Sequence, residues 1–241
     1  MRLRKRFAIG ILGAMAACTA PAPGDPSEDL SIAPRDFVLL PCGPARSDQP
    51  CALVAAGGKR VLFGAPAGVA ASLSEADLRQ LDSVVLFSLR AKDIEGVDEI
   101  RNESWRAGRA TPLLTIGPRG VLVLVDGLNT AFEQADALRI VEEGIPAGGY
   151  DAAILTGREA GRGEIVFDTG DVRVTRISGG YRIAYEDQAT VDLLPCGETR
   201  ADAATAEATN VQISVSCDGS EQELAWPLSA PHFVVRQASA E

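Results

Sequence analysis

Histidine is almost missing from this chain: one in 241 residues, His232. Any site built on two imidazoles is therefore excluded, which removes most zinc hydrolases as ordinarily assembled. Aromatic residues are scarce at 5%, and the two tryptophans, Trp105 and Trp226, read as core or interface residues rather than as platforms for stacking bases. Basic residues are outnumbered, 23 Lys+Arg against 33 Asp+Glu, for a formal charge of −10. A field of that sign repels phosphates and excludes nucleic acid as a partner through a basic face. Long apolar runs are missing too. The opening run from Phe7 to Ala17 is too short for a helix across a bilayer of ~30 Å, so a polytopic membrane protein is excluded. There is no Gly-x-Ser-x-Gly to present a nucleophilic serine, no phosphate loop ending in Gly-Lys-Ser/Thr, and no Cys-x-x-Cys. Apolar residues at 46% and charged ones at 23% are nevertheless ordinary for a folded domain.

What is present begins with an address. Arg2, Arg4, Lys5 and Arg6 precede the apolar run, and small residues follow it, as in a secretory signal. The segment ends Met15-Ala16-Ala17-Cys18, which resembles the bacterial lipobox. That resemblance implies cleavage after residue 17 and lipidation of Cys18. Removing residues 1–17 takes away four basic residues and no acidic one, which leaves a balance of −14. Such a chain would be held at the membrane by its acyl chains, not by anionic headgroups. Thr19 follows the cysteine where, in the lipoproteins that this segment resembles, an Asp signals inner-membrane retention, so the resemblance implies the cell envelope, on the periplasmic face of the outer membrane. Residues 18–34 are Pro-rich and without periodicity, a solvated tether. One domain is expected over residues 35–241.

Four cysteines remain: Cys42, Cys51, Cys196 and Cys217. An even number in an exported domain suggests two disulfides. Three pairings are possible, and the local one, Cys42 with Cys51 and Cys196 with Cys217, closes the shortest loops. The pentapeptide Leu-Leu-Pro-Cys-Gly occurs at 39–43 and again at 193–197, each time closing a strand-like run. It suggests two similar halves, each with a strand ending at a common site.

Local patterns give the order of elements. Residues 51–56 and 59–63 are β-rich and flank Gly57-Gly58, a hairpin signal. Ser74 caps a short helix over 75–81, and strands follow at 83–89 and 112–116. Apolar residues from Leu128 to Val141 fall at helical spacing, and Gly144 ends that helix. Residues 157–163, Gly-rich and basic, read as an exposed loop. Strands follow near 164–167, 171–177 and 181–186, then one ending at the second pentapeptide. An Ala-rich helix over 200–208 and a strand over 210–216 complete the order. Hairpins, then strand–helix alternation, then hairpins again suggest sheets with outer helices.

That order is similar to the metallo-β-lactamase fold, in its ribonuclease Z and cyclic phosphodiesterase-like branch. Trp105 to Leu113, Thr115-Ile116-Gly117-Pro118-Arg119-Gly120, Gly180-Tyr181-Arg182-Ile183 and Gly197-Glu198-Thr199-Arg200 resemble segments of that branch, in its order. The resemblance implies an α/β fold, an αββα sandwich with two similar halves. It also implies two zinc ions held by Thr-His-x-His-x-Asp-His and further ligands, which would activate a water for hydrolysis. Here Ser88-Leu89-Arg90-Ala91-Lys92-Asp93 stands in that place, so only Asp93 keeps a ligand type. Arg176 stands where another His is expected, Glu198 replaces an Asp, and His232 aligns with the last His. The resemblance therefore implies a degenerate site, with Asp93 and Glu198 paired to Arg176 or Arg90 and a candidate cleft of Arg90, Asp93, Arg176 and Glu198. No catalytic residue and no cofactor are expected, with zinc on Asp93, Glu198 and His232 as the alternative. The function expected is a non-catalytic module binding a small ligand or an envelope protein. The alternatives are a residual phosphodiesterase-like hydrolase and a structural or assembly factor of the envelope.

Overall fold

The computed structural model describes residues 31–43, 46, 48–197, 211–217 and 224–237. The chain divides into two units, Met1–Ser31 and Ile32–Glu241, and every described element belongs to the second. The leader, Cys18, nearly all of the tether, Glu198 and the helix expected over 200–208 lie outside the described residues.

The first sheet opens as a meander of β1 (Phe37–Pro41), β2 (Ala52–Ala56) and β3 (Lys59–Phe63). Gly57 and Gly58 turn the β2–β3 hairpin with φ of +54° and +71°, the handedness that a two-residue turn needs to match strand twist. After β3 the pairing becomes parallel. β4 (Ser83–Val85), β5 (Leu113–Gly117) and β6 (Leu155–Glu159) add in turn. Parallel neighbours require crossovers. These are α1 (Glu75–Arg79), α2 (Ala91–Ile94), α3 (Val97–Arg106) and α4 (Val121–Glu143).

The second sheet repeats this plan. β7 (Ile165–Asp168), β8 (Val172–Ile177), β9 (Gly180–Tyr185) and β10 (Ala189–Leu193) run antiparallel, then β11 (Val211–Ser216) and β12 (Leu224–Ala225) add in parallel. β13 (His232–Val235) returns to the first sheet beside β1. The orders are β13-β1-β2-β3-β4-β5-β6 and β12-β11-β10-β9-β8-β7. The halves are alike, as expected. The two pentapeptides do not close equivalent strands, however: β1 opens a meander and β10 ends one.

Side chains of alternate residues fill two cores. Phe37, Leu39, Val54, Phe63, Val85 and Ile116 of the first sheet meet Val174, Tyr181, Ile183, Tyr185, Val191 and Leu193 of the second. The intervening residues of the first sheet, Leu53, Leu62, Val84 and Leu86, face Leu78, Val97, Ile100, Val121 and Val125 of the helices. Helices cover the first sheet alone among the described residues, so the outer helix expected on the second sheet is not among them.

Ser74 caps α1 as its sequence suggests, accepting the Asp77 N–H at 3.1 Å. α4 differs from expectation. It starts at Val121, not Leu128, because Gly120 turns the chain at φ +102° and Val121 and Val125 then bury against the sheet at helical spacing. The 157–163 segment is only partly loop, since Gly157, Arg158 and Glu159 pair with Thr115, Ile116 and Gly117 in β6. Its backbone N–H groups are taken up by neighbouring elements: Ala160 donates to Gly117 O and Gly163 to Arg176 O, each at 2.7 Å. Glu159 accepts the Gly120 N–H at 2.8 Å, and Glu164 accepts that of Gly161 at 2.7 Å.

Candidate binding site

β1, β3, β4 and β5 all run to the same edge of the first sheet, because two antiparallel steps restore β1 to the direction of β3. Ligands of open α/β sheets commonly sit outside such strand ends. The loops there close on one another. Gly64 donates to Val85 O at 2.9 Å, Leu86 to Ile116 O at 2.7 Å and Gly96 to Ala65 O at 2.8 Å. A Cβ on Gly64 would lie 2.1 Å from Pro50 O, and one on Gly96 2.2 Å from Pro66 O. Glycine is required at both.

The second sheet meets this edge through β9 and β10. Tyr181, the second residue of β9, lies opposite Leu193, the last residue of β10. Its hydroxyl donates to Leu86 O at 3.0 Å. Burial pushes the Tyr181 hydroxyl above the usual tyrosine range, and the Arg176 guanidinium partly opposes that rise. Phe63, Phe87 and Tyr181 pack as a cluster with ring centroids 5.9 to 6.4 Å apart. Trp226 meets Phe87 at 6.3 Å and donates its indole N–H to Leu194 O at 2.8 Å. Both Leu-Leu-Pro-Cys-Gly segments thus end at one rim: Leu194 reaches Phe87 through Trp226, and Gly43 lies beside Pro66. The disulfides pair Cys42 with Cys51 and Cys196 with Cys217, the local pattern.

The residues singled out by sequence fall as follows. Arg176 on β8 lays its guanidinium 4.6 Å over the Tyr181 ring, with both terminal nitrogens 3.5 Å from Phe87 O. A cation held by a π face and a carbonyl keeps most of its charge unneutralised. Asp93 in α2 accepts the Ser88 hydroxyl, and Ser88 Oγ accepts the Arg90 N–H at 3.1 Å. Asp93 is therefore not the ion-pair partner of Arg90 or Arg176 that was expected. A hydroxyl two residues from the turn reaches it first and fixes the turn into α2. Arg90 is exposed at the head of α2, and Lys92 donates to Asp48 O at 2.7 Å. His232 sits half-buried in β13, registered against Leu39 of β1. Sequence reading passed over the Phe63–Phe87–Trp226 cluster, whose members are far apart in the chain and carry no shared local pattern.

Two mixed sheets packed face to face, with helices on the first and a loop rim at its strand ends, define the metallo-β-lactamase fold. Among solved structures the chain is similar to the short form of human tRNase Z, with a TM-score of 0.53 at 12% identity over 75% of this chain and 76% of that one. It is also similar to the metallo-β-lactamase fold protein YhfI from Bacillus subtilis (0.49, 14%, 75% and 71%) and to a diphosphatase of the PhnP family (0.48, 11%, 82% and 97%). At such identities the likeness shows the fold alone. No family model and no curated protein matches the chain.

The resemblance read from the sequence implies a metal centre, and the donors at the described positions do not fit one. Leu89 and Ala91 offer no donor atom, Arg176 brings positive charge, and Asp93 is engaged by Ser88. Among the described residues no group of three or more His, Cys, Asp or Glu could hold an ion.

Proposed function

We propose that the chain is a non-catalytic binding module of the cell envelope, built on the metallo-β-lactamase fold and carried on a lipidated tether from Cys18. The observation that carries this reading is Arg176. It stands where the resemblance expects a metal ligand, and it ties β8 to Phe87 O across the sandwich. A fixed guanidinium there repels a metal ion and offers a partly satisfied cation to a ligand or a partner protein. Two disulfides support an oxidising compartment. No helix among the described residues is long and apolar enough to cross a membrane.

The test is elemental analysis of the exported protein, purified without chelator or histidine tag, alongside a phosphodiesterase assay. Less than about a tenth of an equivalent of zinc, iron or manganese and no turnover is expected. Stoichiometric metal, with turnover lost in the Asp93→Ala/Glu198→Ala double variant, would overturn the reading in favour of a residual hydrolase. For the anchor, labelled palmitate should enter the wild-type chain and not Cys18→Ser.

A further inference from the structure

α4 has two faces with different lives. Inward, Val121, Val125 and Asp136 are buried, and the Asn129 side-chain amide grips both backbone groups of Leu155 at 2.9 Å. Outward, at about 100° per residue, Val123, Gly127, Ala131, Ala135, Leu138 and Val141 share a broad face. Val123, Leu138 and Val141 are 77%, 53% and 83% exposed. Charged residues Asp126 and Glu133 lie off this face, and none falls on it before Glu142. Gln134 is the polar residue within it; a helix that needed only to cover the sheet would carry more of them here.

We propose that this face joins two copies of the chain, with the two α4 helices crossing antiparallel at Ala131 on a two-fold axis. The sequence is self-complementary about that point, as an isologous contact requires. Gly127 faces Ala135, and this small-residue centre lets the helices approach closely. Leu124 faces Leu138. Gly120 faces Glu142, since each lies eleven residues from Ala131. That places the exposed Arg119 of each copy beside Glu142 of the other, and neither residue has an ion-pair partner among the described residues. A parallel pairing would instead set Glu142 and Glu143 against themselves and align the helix dipoles. The acidic rim of Asp126, Glu133, Glu142 and Glu143 also disfavours an anionic lipid surface as the occupant. The face spans about 120°, a third of the surface of a cylinder about 35 Å long and about 10 Å across, or roughly 370 Å² per copy. Doubled, that is below the standard size of specific interfaces, so the dimer is a weak and reversible one.

Sedimentation equilibrium tests it on the Ile32–Glu241 unit, which holds both hydrophobic cores. Between about 1 and about 100 µM, the range where a small interface titrates, the mass should rise toward twice the monomer value. Leu138→Glu should stay monomeric with an unchanged thermal midpoint, because the side chain is mostly exposed. Arg119→Glu should weaken association about fivefold, and adding Glu142→Arg should restore it. Under mild oxidation Ala131→Cys should cross-link to itself and Glu133→Cys should not. A monomer at every concentration, or equal cross-linking at both positions, overturns the proposal. So does a monomer that binds phosphatidylglycerol vesicles and loses that binding in Leu138→Glu, which would make the face a lipid contact.

Discussion

Asp136→Ala should be among the most damaging single changes in the helical layer. Asp136 and Arg101 form an ion pair between α4 and α3, with side chains 3% and 0% exposed. One guanidinium nitrogen donates to Asp136 Oδ1 at 3.0 Å and to Asn102 Oδ1 at 2.8 Å, the other to Asp136 Oδ2, and the ring of Phe132 lies 4.9 Å from Cζ. Removing the carboxylate leaves a buried cation with one neutral acceptor, and its Nε already lacks a partner. Breaking a buried pair from one side costs about 3–5 kcal/mol. At ~2–4 °C per kcal/mol for a chain of this size, the thermal midpoint should fall by roughly 6–20 °C. Because α4 buries only Val121, Val125 and Asp136, its second half should also lose amide protection first. The double variant Arg101→Met/Asp136→Leu removes both charges at similar volume and should return to within ~1 kcal/mol of wild type. Urea and thermal unfolding of the Ile32–Glu241 unit with disulfides intact would compare wild type with both variants. A loss below ~1 kcal/mol in the single variant, or a double variant worse than the single, would refute the account of a desolvated charge.

Three further outcomes follow from the rim. Gly64→Ala should prevent stable folding, since its Cβ would meet Pro50 O at 2.1 Å on a backbone of φ +79°; soluble protein with a native melting curve would contradict this. Trp226→Phe keeps the ring against Phe87 but leaves Leu194 O unpaired, and should cost ~1–3 kcal/mol by urea unfolding; an unchanged midpoint would show that water replaces the indole. Tyr181 keeps its proton longer in the folded chain than in the unfolded one. Its contribution is complete below the unfolded value of about 10 and is lost as pH rises through the higher folded one. Unfolding midpoints followed from neutral to strongly alkaline pH should therefore decline more gently in Tyr181→Phe than in wild type.

Much of the framework was legible because local chemistry and tertiary structure agree there. Gly57-Gly58 dictates its hairpin, Ser74 its helix start, and the paired cysteines lie close enough in sequence to be read locally. α4 was misjudged at its head because Val121 to Val125 is a β-branched apolar run that only the sheet beneath makes helical. α3 carried little signal because its buried face includes Arg101 and Ser104, whose burial depends on Asp136 and Arg109 from elsewhere in the chain. At the rim, the loss of ligand residues was visible residue by residue. What replaced them was not. Ser88 lies only five residues from Asp93, and Arg176 faces Tyr181 across one hairpin, yet no local pattern says that these groups take each other. The reach of Arg176 to Phe87 O spans 89 residues and depends on the two sheets packing face to face.

The two disulfides span 9 and 21 residues. By loop-closure entropy they contribute about 2.6 and about 3.3 kcal/mol, a sum comparable with the whole stability of many domains. In reducing surroundings the same chain would lose that contribution and be easier to unfold. If it is exported as proposed, the rim would be fixed only after the cysteines had paired at its destination.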